Sequence, residues 1–431
     1  MHSARSNEAG EAHAVTQMTR RALRRWWRRA VGLGARRCAL LAVALYALYG
    51  WARKGLWLGR PVVLSKRGDA RMAAILARMR ETLDERFVPA PLAHGAYAQM
   101  ALMLAWRAVY LRSVAHRFER HALATADGGE VCVEEFVSLS GGAVLAADAP
   151  VLLVLHTITG VAEDEVELCH RARARGMRPF VLSRRGHAGP LRSARFNVMG
   201  CTRDTELQVR FVRARHPGAF VACVGISAGS GQVVSYVGRQ EELGRAEAPG
   251  LHRVDCAVSL CPAYDIAGAF AHFDRQSPWL AAYLLDGLKR FFLLRNAALL
   301  AGRRGYDEAL AAPSVQRFIE SAAPLAGFDS FDSFLSESNP MRHYHKSTVP
   351  CLVLNALDDP LCVEANIRKD IASETENYAL VLTACGSHVA FREGLLGQTS
   401  YQHRLALDFC QAAHLEFRDN ISSSPRPDYT T

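Results

Sequence analysis

The sequence predicts an α/β fold: a mainly parallel, doubly wound sheet with an inserted helical cap. Three observations carry this. From about residue 126 onward, short apolar runs alternate with amphipathic segments, the pattern of βαβ units. One apolar run, VACVGISAGSG from Val221 to Gly231, breaks on a glycine corner that holds a lone serine. Between Asp265 and Lys346 the alternation stops, and a long aromatic helical stretch containing PWLAAYLLDGLKRFFLLRNAALL takes its place.

The elements follow in order. ADGGEVCVEEF has a DGG turn and then alternation, a hairpin or edge strand. APVLLVLHTITG is a strand ending in a glycine-bearing loop, and EDEVELCHRARARG is a helix closed by Gly176. RPFVLSRRGHAG is a second strand and glycine loop, followed by the amphipathic TELQVRFVRARH. GAFVACVGISAGSG, HRVDCAVSLCPAYD, TVPCLVLNALDDP and NYALVLTACGSH each read as a strand with its loop. The serine corner thus sits inside a domain expected over 126–420, with the cap at about 266–345. Residues 66–125 read as a helical lead-in, and 421–431 (ISSSPRPDYTT) as a disordered tail.

Charge isolates the N-terminus. Residues 1–60 hold twelve Lys or Arg against Glu8 and Glu11, which accounts for the whole net charge of +10 over 431 residues. The body is neutral, so a nucleic-acid footprint is not expected on it. After the basic arm of residues 1–37 comes an apolar segment, 38–58, flanked by Trp26, Trp27, Trp51 and Trp57. Its uncharged part, Cys38 to Ala52, is shorter than a bilayer span and reaches that length only if Arg53 and Lys54 snorkel. The segment reads as a single-pass membrane anchor. A cleaved Arg-rich targeting peptide, with a mitochondrial address, and a buried helix are the competing readings. The eleven cysteines show no zinc-type spacing, and their odd number argues against a complete disulfide framework.

Gly225-Ile226-Ser227-Ala228-Gly229 matches G-x-S-x-G. Such a strand-to-helix corner needs glycines because side chains would collide there, and it lifts the serine oxygen above the sheet. A serine hydroxyl needs a base to become a nucleophile. His388, on the loop after the strand-like run Tyr378–Leu382, stands where that base is required. Asp359, in LVLNALDDPLCV, is the candidate that orients the histidine, with Asp358 adjacent and not separable from it by position alone. The oxyanion donors are expected to be the backbone N–H groups of Ala228 and of Thr157 (or Ile158) in the HTITG loop. His156, in the same loop, reads as structural. No metal or organic cofactor is called for.

The order Ser…Asp…His is that of α/β-hydrolases, and the chain resembles one subfamily of them over roughly residues 85–400. ADGGEV, LHTITGVAEDEV, LSRRGHAGPLRSARFNVMGCTRD, GISAGSG, SLCPAYDI, NALDDP and GSHVAF carry the resemblance. The subfamily is the abhydrolase-domain lipases and esterases grouped with the medium-chain ethyl ester synthase/esterases. It implies an N-terminal anchor, an endoplasmic-reticulum-type endomembrane and a lipid ester substrate, a glycerolipid or a medium-chain acyl ester. Two departures from the pattern stand out. Thr157 replaces a usual glycine, which implies a narrower acyl entrance or a stiffer loop, and the elbow reads SAGSG. The competing functions are an inactive hydrolase-fold scaffold, an acyltransferase, and an esterase of soluble substrates.

Overall fold

The computed structural model describes residues 37–38, 40–50, 52, 59–140, 144–243 and 250–423. The chain divides into two units, residues 1–56 and 57–431. In the first, residues 40–50 are helical and Leu40, Leu41, Leu45 and Leu48 are exposed. The basic arm 1–36, much of the anchor segment (39, 51 and 53–58) and the tail 424–431 lie outside the described residues. No helix among the described residues is long and apolar enough to cross a membrane.

The second unit is built on a nine-stranded sheet. Its strands are β1 (Val62–Ser65), β2 (His116–Ala124), β3 (Glu130–Ser138), β4 (Val151–Leu155), β5 (Arg178–Ser183), β6 (Val221–Ile226), β7 (Cys256–Leu260), β8 (Cys351–Ala356) and β9 (Tyr378–Thr383). Their order is β1-β9-β8-β7-β6-β4-β5-β3-β2. The central six, β5 to β9 through β4, pair in parallel, while β1, β2 and β3 join antiparallel at the edges. Central strands are buried on both faces, which is why VLLVL, VACVGI and CLVLNA are continuous apolar runs and not alternating ones. Each fully buried Val or Leu in them stabilises the fold by roughly 1.5–3 kcal/mol.

Helices cover both faces. α1 (Ala70–Arg78), α3 (Val166–Ala174) and α11 (Tyr401–Ser423) pack one face; α4 (Thr202–Arg215), α5 (Ala228–Leu243) and α10 (Lys369–Glu374) pack the other. Between β7 and β8 the chain leaves the sheet and forms α6 (Ile266–Gln276), α7 (Pro278–Leu288), α8 (Val315–Ala322) and α9 (Phe331–Ser338). These have a core of their own, and Ile158 and Ala228 of the body reach into it. All the described cysteines are free thiols.

The lead-in departs from the expectation at its end. Besides α1 and α2 (Ala96–Ser113), residues 116–124 form the edge strand β2, in register with β3 from His116↔Ser138 to Ala124↔Glu130. HRFERHALA does alternate, but charges occupy its exposed side, as edge strands require, and hide the strand among helical neighbours. Strand β1 likewise arises from a segment too short to recognise without its partner β9. Residues 421–423, expected in the tail, continue α11.

Candidate active site

Ser227 sits between β6 and α5 with φ of 54°, in the left-handed region that side chains avoid. Its N–H donates to the Leu260 carbonyl at 3.0 Å, and its own carbonyl accepts from Ser230 N at 2.9 Å. The flanking glycines are there for contact reasons. A Cβ on Gly225 would lie 2.1 Å from the Gly229 carbonyl oxygen, and one on Gly229 would lie 2.1 Å from that of Leu155. No side chain fits at either position, so the corner closes only with glycine. The helix that follows directs its unsatisfied N-terminal N–H groups, Ala228 first, toward the serine side.

His388 Nε2 lies 2.7 Å from Ser227 Oγ, and His388 Nδ1 lies 2.9 Å from Asp359 Oδ2. The loop that delivers the histidine is strained. Ser387, Val389 and Phe391 all have positive φ, at 62°, 50° and 45°. A β-branched residue there is a rare conformation, and each such residue costs about 1–3 kcal/mol. Tertiary contacts hold the loop: Gln402 Nε2 donates to the Val389 carbonyl at 2.7 Å, and Tyr401 N donates to that of Phe391 at 3.0 Å.

The two adjacent aspartates have separate partners. Asp359 is buried, with Oδ1 accepting from Leu361 N and Cys362 N at 2.8 and 2.9 Å and Oδ2 facing the imidazole. Asp358 Oδ1 instead accepts from Ser387 N at 2.8 Å, so it grips the histidine's loop and not its ring.

The HTITG loop is fixed from behind by Arg184. Its guanidinium donates to the His156 carbonyl at 3.2 Å, to the Thr157 carbonyl, and to the Ile158 carbonyl at 3.3 Å. A trans peptide points its N–H opposite its carbonyl, so pinning the first two carbonyls sets the directions of the Thr157 and Ile158 N–H groups. Arg184 is fully buried, and desolvation pulls its guanidinium down to about 9. His156 is held well below the usual imidazole range by burial and then by Arg184, so it is neutral. Its Nδ1 donates to the Thr157 carbonyl at 3.0 Å while its Nε2 accepts from Arg184 N at 3.4 Å. His187, also kept neutral by burial, donates from Nδ1 to the Gly160 carbonyl at 2.8 Å.

A cavity of only about 30 Å³ lies at the Ser227 hydroxyl, walled by Ile158, Met199, Phe270, Leu284, Leu361 and His388 among others. Phe270 and Leu284 belong to the cap helices α6 and α7. Thr157 lines a different cavity, on the Val389 side. The wall at Ser227 is thus formed by Ile158, Met199 and Leu361 of the body together with Phe270 and Leu284 of the cap.

Cys261, Asp359 and His388 bring potential metal-ligand atoms within 4.8 Å of one another. The chemistry does not suit an ion. Burial, then the Asp359 charge, pushes the Cys261 thiol well above its ordinary range, so it stays protonated. His388 Nδ1 is already committed to Asp359.

The sequence singles out Ser227, Asp359, His388, Ala228 and Thr157, with Asp358 as the alternative to Asp359, but assigns no task to Arg184 or Arg185. Arg185 forms a two-pronged pair with Asp204 at 2.7 and 2.9 Å and a contact with Asp127 at 2.6 Å. Asn197 Nδ2 donates to the same Asp204 at 2.6 Å. The RG…FN…T-x-D spacing thus converges on one polar cluster, in which Arg185, Asn197 and Asp204 are buried and Asp127 of the DGG turn is exposed. Its signal was the charge pair in an otherwise apolar strand end, SRRG.

No family model matches the chain. In sequence it is similar to phospholipase ABHD3 of Mus musculus, 26% identical over 303 residues that cover 69% of this chain and 72% of that protein. It is also similar to monoacylglycerol lipase ABHD2 of Mus musculus, 24% identical over 346 residues covering 76% and 79%. Among solved structures, an esterase of Pyrococcus furiosus superposes with a TM-score of 0.42 at 12% identity, covering 69% of this chain and 91% of that one. The chain is an α/β-hydrolase-fold protein related to the abhydrolase-domain phospholipases and monoacylglycerol lipases.

Proposed function

We propose that this protein is a serine hydrolase of lipid carboxylic esters and that Ser227, His388 and Asp359 are its catalytic triad. The observation that carries this reading is the continuous chain of hydrogen bonds from Ser227 Oγ through His388 to Asp359, set on a strained glycine corner. His388 Nε2 takes the serine proton as Ser227 Oγ attacks the ester carbonyl. The carbonyl oxygen becomes an oxyanion, received by the N–H groups of Ala228 and Thr157. The C–O bond then breaks, and the imidazolium gives its proton to the leaving alcohol. Water, deprotonated by the same histidine, cleaves the acyl-enzyme to release the acid and free Ser227. Asp359 keeps His388 in the tautomer that presents Nε2 to the serine and stabilises the imidazolium.

The names of the relatives, a phospholipase and a monoacylglycerol lipase, support a lipid ester as substrate. An apolar surface supports work at a membrane. On α2 the one buried residue is the polar Gln99, while Tyr97, Leu104, Val109 and Leu111 are exposed. Leu395 and Leu396 are exposed beside it, joined through a hydrogen bond from Trp106 Nε1 to the Leu396 carbonyl at 2.8 Å. Trp279 and Tyr283 of the cap are exposed as well, and Tyr97 and Trp279 rings meet at 5.1 Å. Aromatic residues of this kind favour the bilayer interface. Residues 38–58 would add a single-pass anchor in an endomembrane of the endoplasmic-reticulum type.

The test is covalent labelling with a fluorophosphonate probe, using wild type and Ser227→Ala, each separated into membrane and soluble fractions. Labelling of wild type alone, in the membrane fraction, is the expected result. A folded wild type that does not label overturns the catalytic reading; a labelled protein found only in the soluble fraction overturns the anchor.

A further inference from the structure

The space at Ser227, about 30 Å³, has room for one water and not for an acyl chain. Phe270 of α6 and Leu284 of α7 must therefore move before an ester can reach the serine. Helix α2 is joined both to that cap and to the loop that carries the histidine. Gln99, 1% exposed, ties it to the loop: its Nε2 donates to the Arg392 carbonyl at 3.0 Å, and its Oε1 accepts from Arg392 N at 2.5 Å. Two residues earlier, Tyr97 ties it to the cap. Tyr97 Oη lies 2.8 Å from Ser277 Oγ, and the Tyr97 ring meets that of Trp279 at 5.1 Å. Ser277 stands where α6 ends and α7 begins.

The contact with Ser277 is made at the expense of a cap. Ser277 is the N-cap of α7, a position where serine normally accepts from N–H groups of the first turn. It makes no such bond here. Its hydroxyl, in a residue 1% exposed, is committed to Tyr97 instead. Releasing Tyr97 frees that hydroxyl to cap its own helix, so the bond that breaks is replaced by one inside the cap. The two arrangements then differ by less than one full hydrogen bond. A latch so shallow is opened by a modest pull.

The outer face of α2 identifies what pulls. Tyr97, Ala101, Leu104, Ala105 and Leu111 are exposed along it at helical spacing. The helix has no acidic residue; Arg107 pairs with Asp164 at 3.2 Å, and Arg112 stands in the last turn. The adjoining turn adds Leu395 and Leu396, 73% and 65% exposed. A helix in water presents charge outward. An uncharged outer face with aromatic rings at one end and an arginine at the other suits a lipid–water interface, where rings sit at headgroup level and arginine reaches the phosphates. The interface also distinguishes the two arrangements, as any trigger must. While latched, Tyr97 and Trp279 cover part of each other; once parted, both rings can enter the lipid.

We infer that α2 and the 394–397 turn dock on a lipid–water interface and that docking draws Tyr97 away from Ser277, letting α6 and α7 lift from Ser227. Gln99 meanwhile keeps the loop after His388 in place, so the hydrogen-bonded series stays assembled as the cap moves. This rests on the hydrolase reading above.

The test uses the full chain with excess vesicles of diether phosphatidylcholine, which has no ester to compete, and p-nitrophenyl butyrate as substrate. Leu395→Asp plus Leu396→Asp puts charge on the docking face and is expected to lower kcat/KM about tenfold. Adding Tyr97→Phe, which keeps the ring and removes the latching oxygen, is expected to recover about fivefold of that loss. A merely structural defect would not be rescued in this way. No loss in the double aspartate variant would overturn the docking face, and a loss that Tyr97→Phe fails to recover would overturn the latch. Amide hydrogen exchange reads the cap without catalysis. In Ser227→Ala, exchange over 266–288 is expected to slow with the two aspartates and to quicken again with Tyr97→Phe; exchange indifferent to both overturns the inference. If the wild type cleaves no ester while exchange responds as expected, the hydrolase reading fails and the latch stands.

Discussion

The two cavities that share Met199 are built to opposite rules. At Ser227 the space is about 30 Å³, the walls are mostly apolar, and the serine, imidazole and carboxylate are already hydrogen-bonded in series. Behind Met199 the space is about 600 Å³ and the lining mixes apolar side chains with four arginines and three carboxylates. One region has completed its internal bonds and lacks room; the other has room and a charged lining. The difference separates chemistry, which needs preorganised groups, from open space, which needs none. It also means that an acyl chain enters the first cavity only if the cap residues above it move.

The sharpest way to break the comparison is to remove the series itself. Ser227→Ala or His388→Ala is expected to lower kcat on a short p-nitrophenyl ester by about a millionfold, with the circular dichroism spectrum unchanged. Asp359→Asn should cost about ten-thousandfold, because the imidazole loses the carboxylate that selects its tautomer. Asp358→Asn leaves Ser387 N an uncharged and weaker acceptor, and about tenfold is expected. Full turnover in Asp359→Asn together with a dead Asp358→Asn would reverse the assignment of the two aspartates.

A smaller effect is expected from the support of the HTITG loop. Arg184→Lys keeps the charge but loses the planar fork that grips three carbonyls, so the donor N–H groups of the loop lose their fixed direction. kcat should fall about a hundredfold with KM little altered. A KM effect alone would mean that Arg184 acts on substrate binding instead. Next, Phe270→Ala and Leu284→Ala enlarge the apolar side. Each is expected to raise kcat/KM for longer acyl chains relative to butyrate by about tenfold, read from a series of p-nitrophenyl esters.

The smallest effect concerns stability. Glu165 is fully buried near Thr157, and desolvation pushes its carboxyl up to about 8. With the folded value above the unfolded one, the folded state holds an extra proton between them. The stability tied to that proton is therefore complete below about pH 4.5 and is lost as pH rises toward 8. Glu165→Gln should flatten the decline of Tm over that range and raise Tm at pH 8 more than at pH 5. Parallel Tm profiles for the two proteins would show that Glu165 ionises freely.

Much of the fold was legible because buried parallel strands must be apolar end to end, and such runs as Val151–Leu155 and Cys351–Ala356 have no other use in so polar a context. The serine corner was legible because only glycine fits at Gly225 and Gly229, and sterics of that kind leave a mark in the sequence. Strand β2 was not, since an edge strand carries charges on its free side and resembles an exposed helix over nine residues. Nor was the division of labour between Asp358 and Asp359, which depends on which carboxylate faces a loop 29 residues further along.

By itself, then, the sequence determined the order of elements, the nucleophile's corner and the residue types of the candidate triad, because periodicity and glycine sterics act over a few neighbouring positions. Tertiary structure alone decided what Arg184 holds, which aspartate meets His388, and how little room the cap leaves over Ser227. Those outcomes depend on groups far apart in the chain arriving within 3 Å of one another or failing to, and no local pattern encodes such distances.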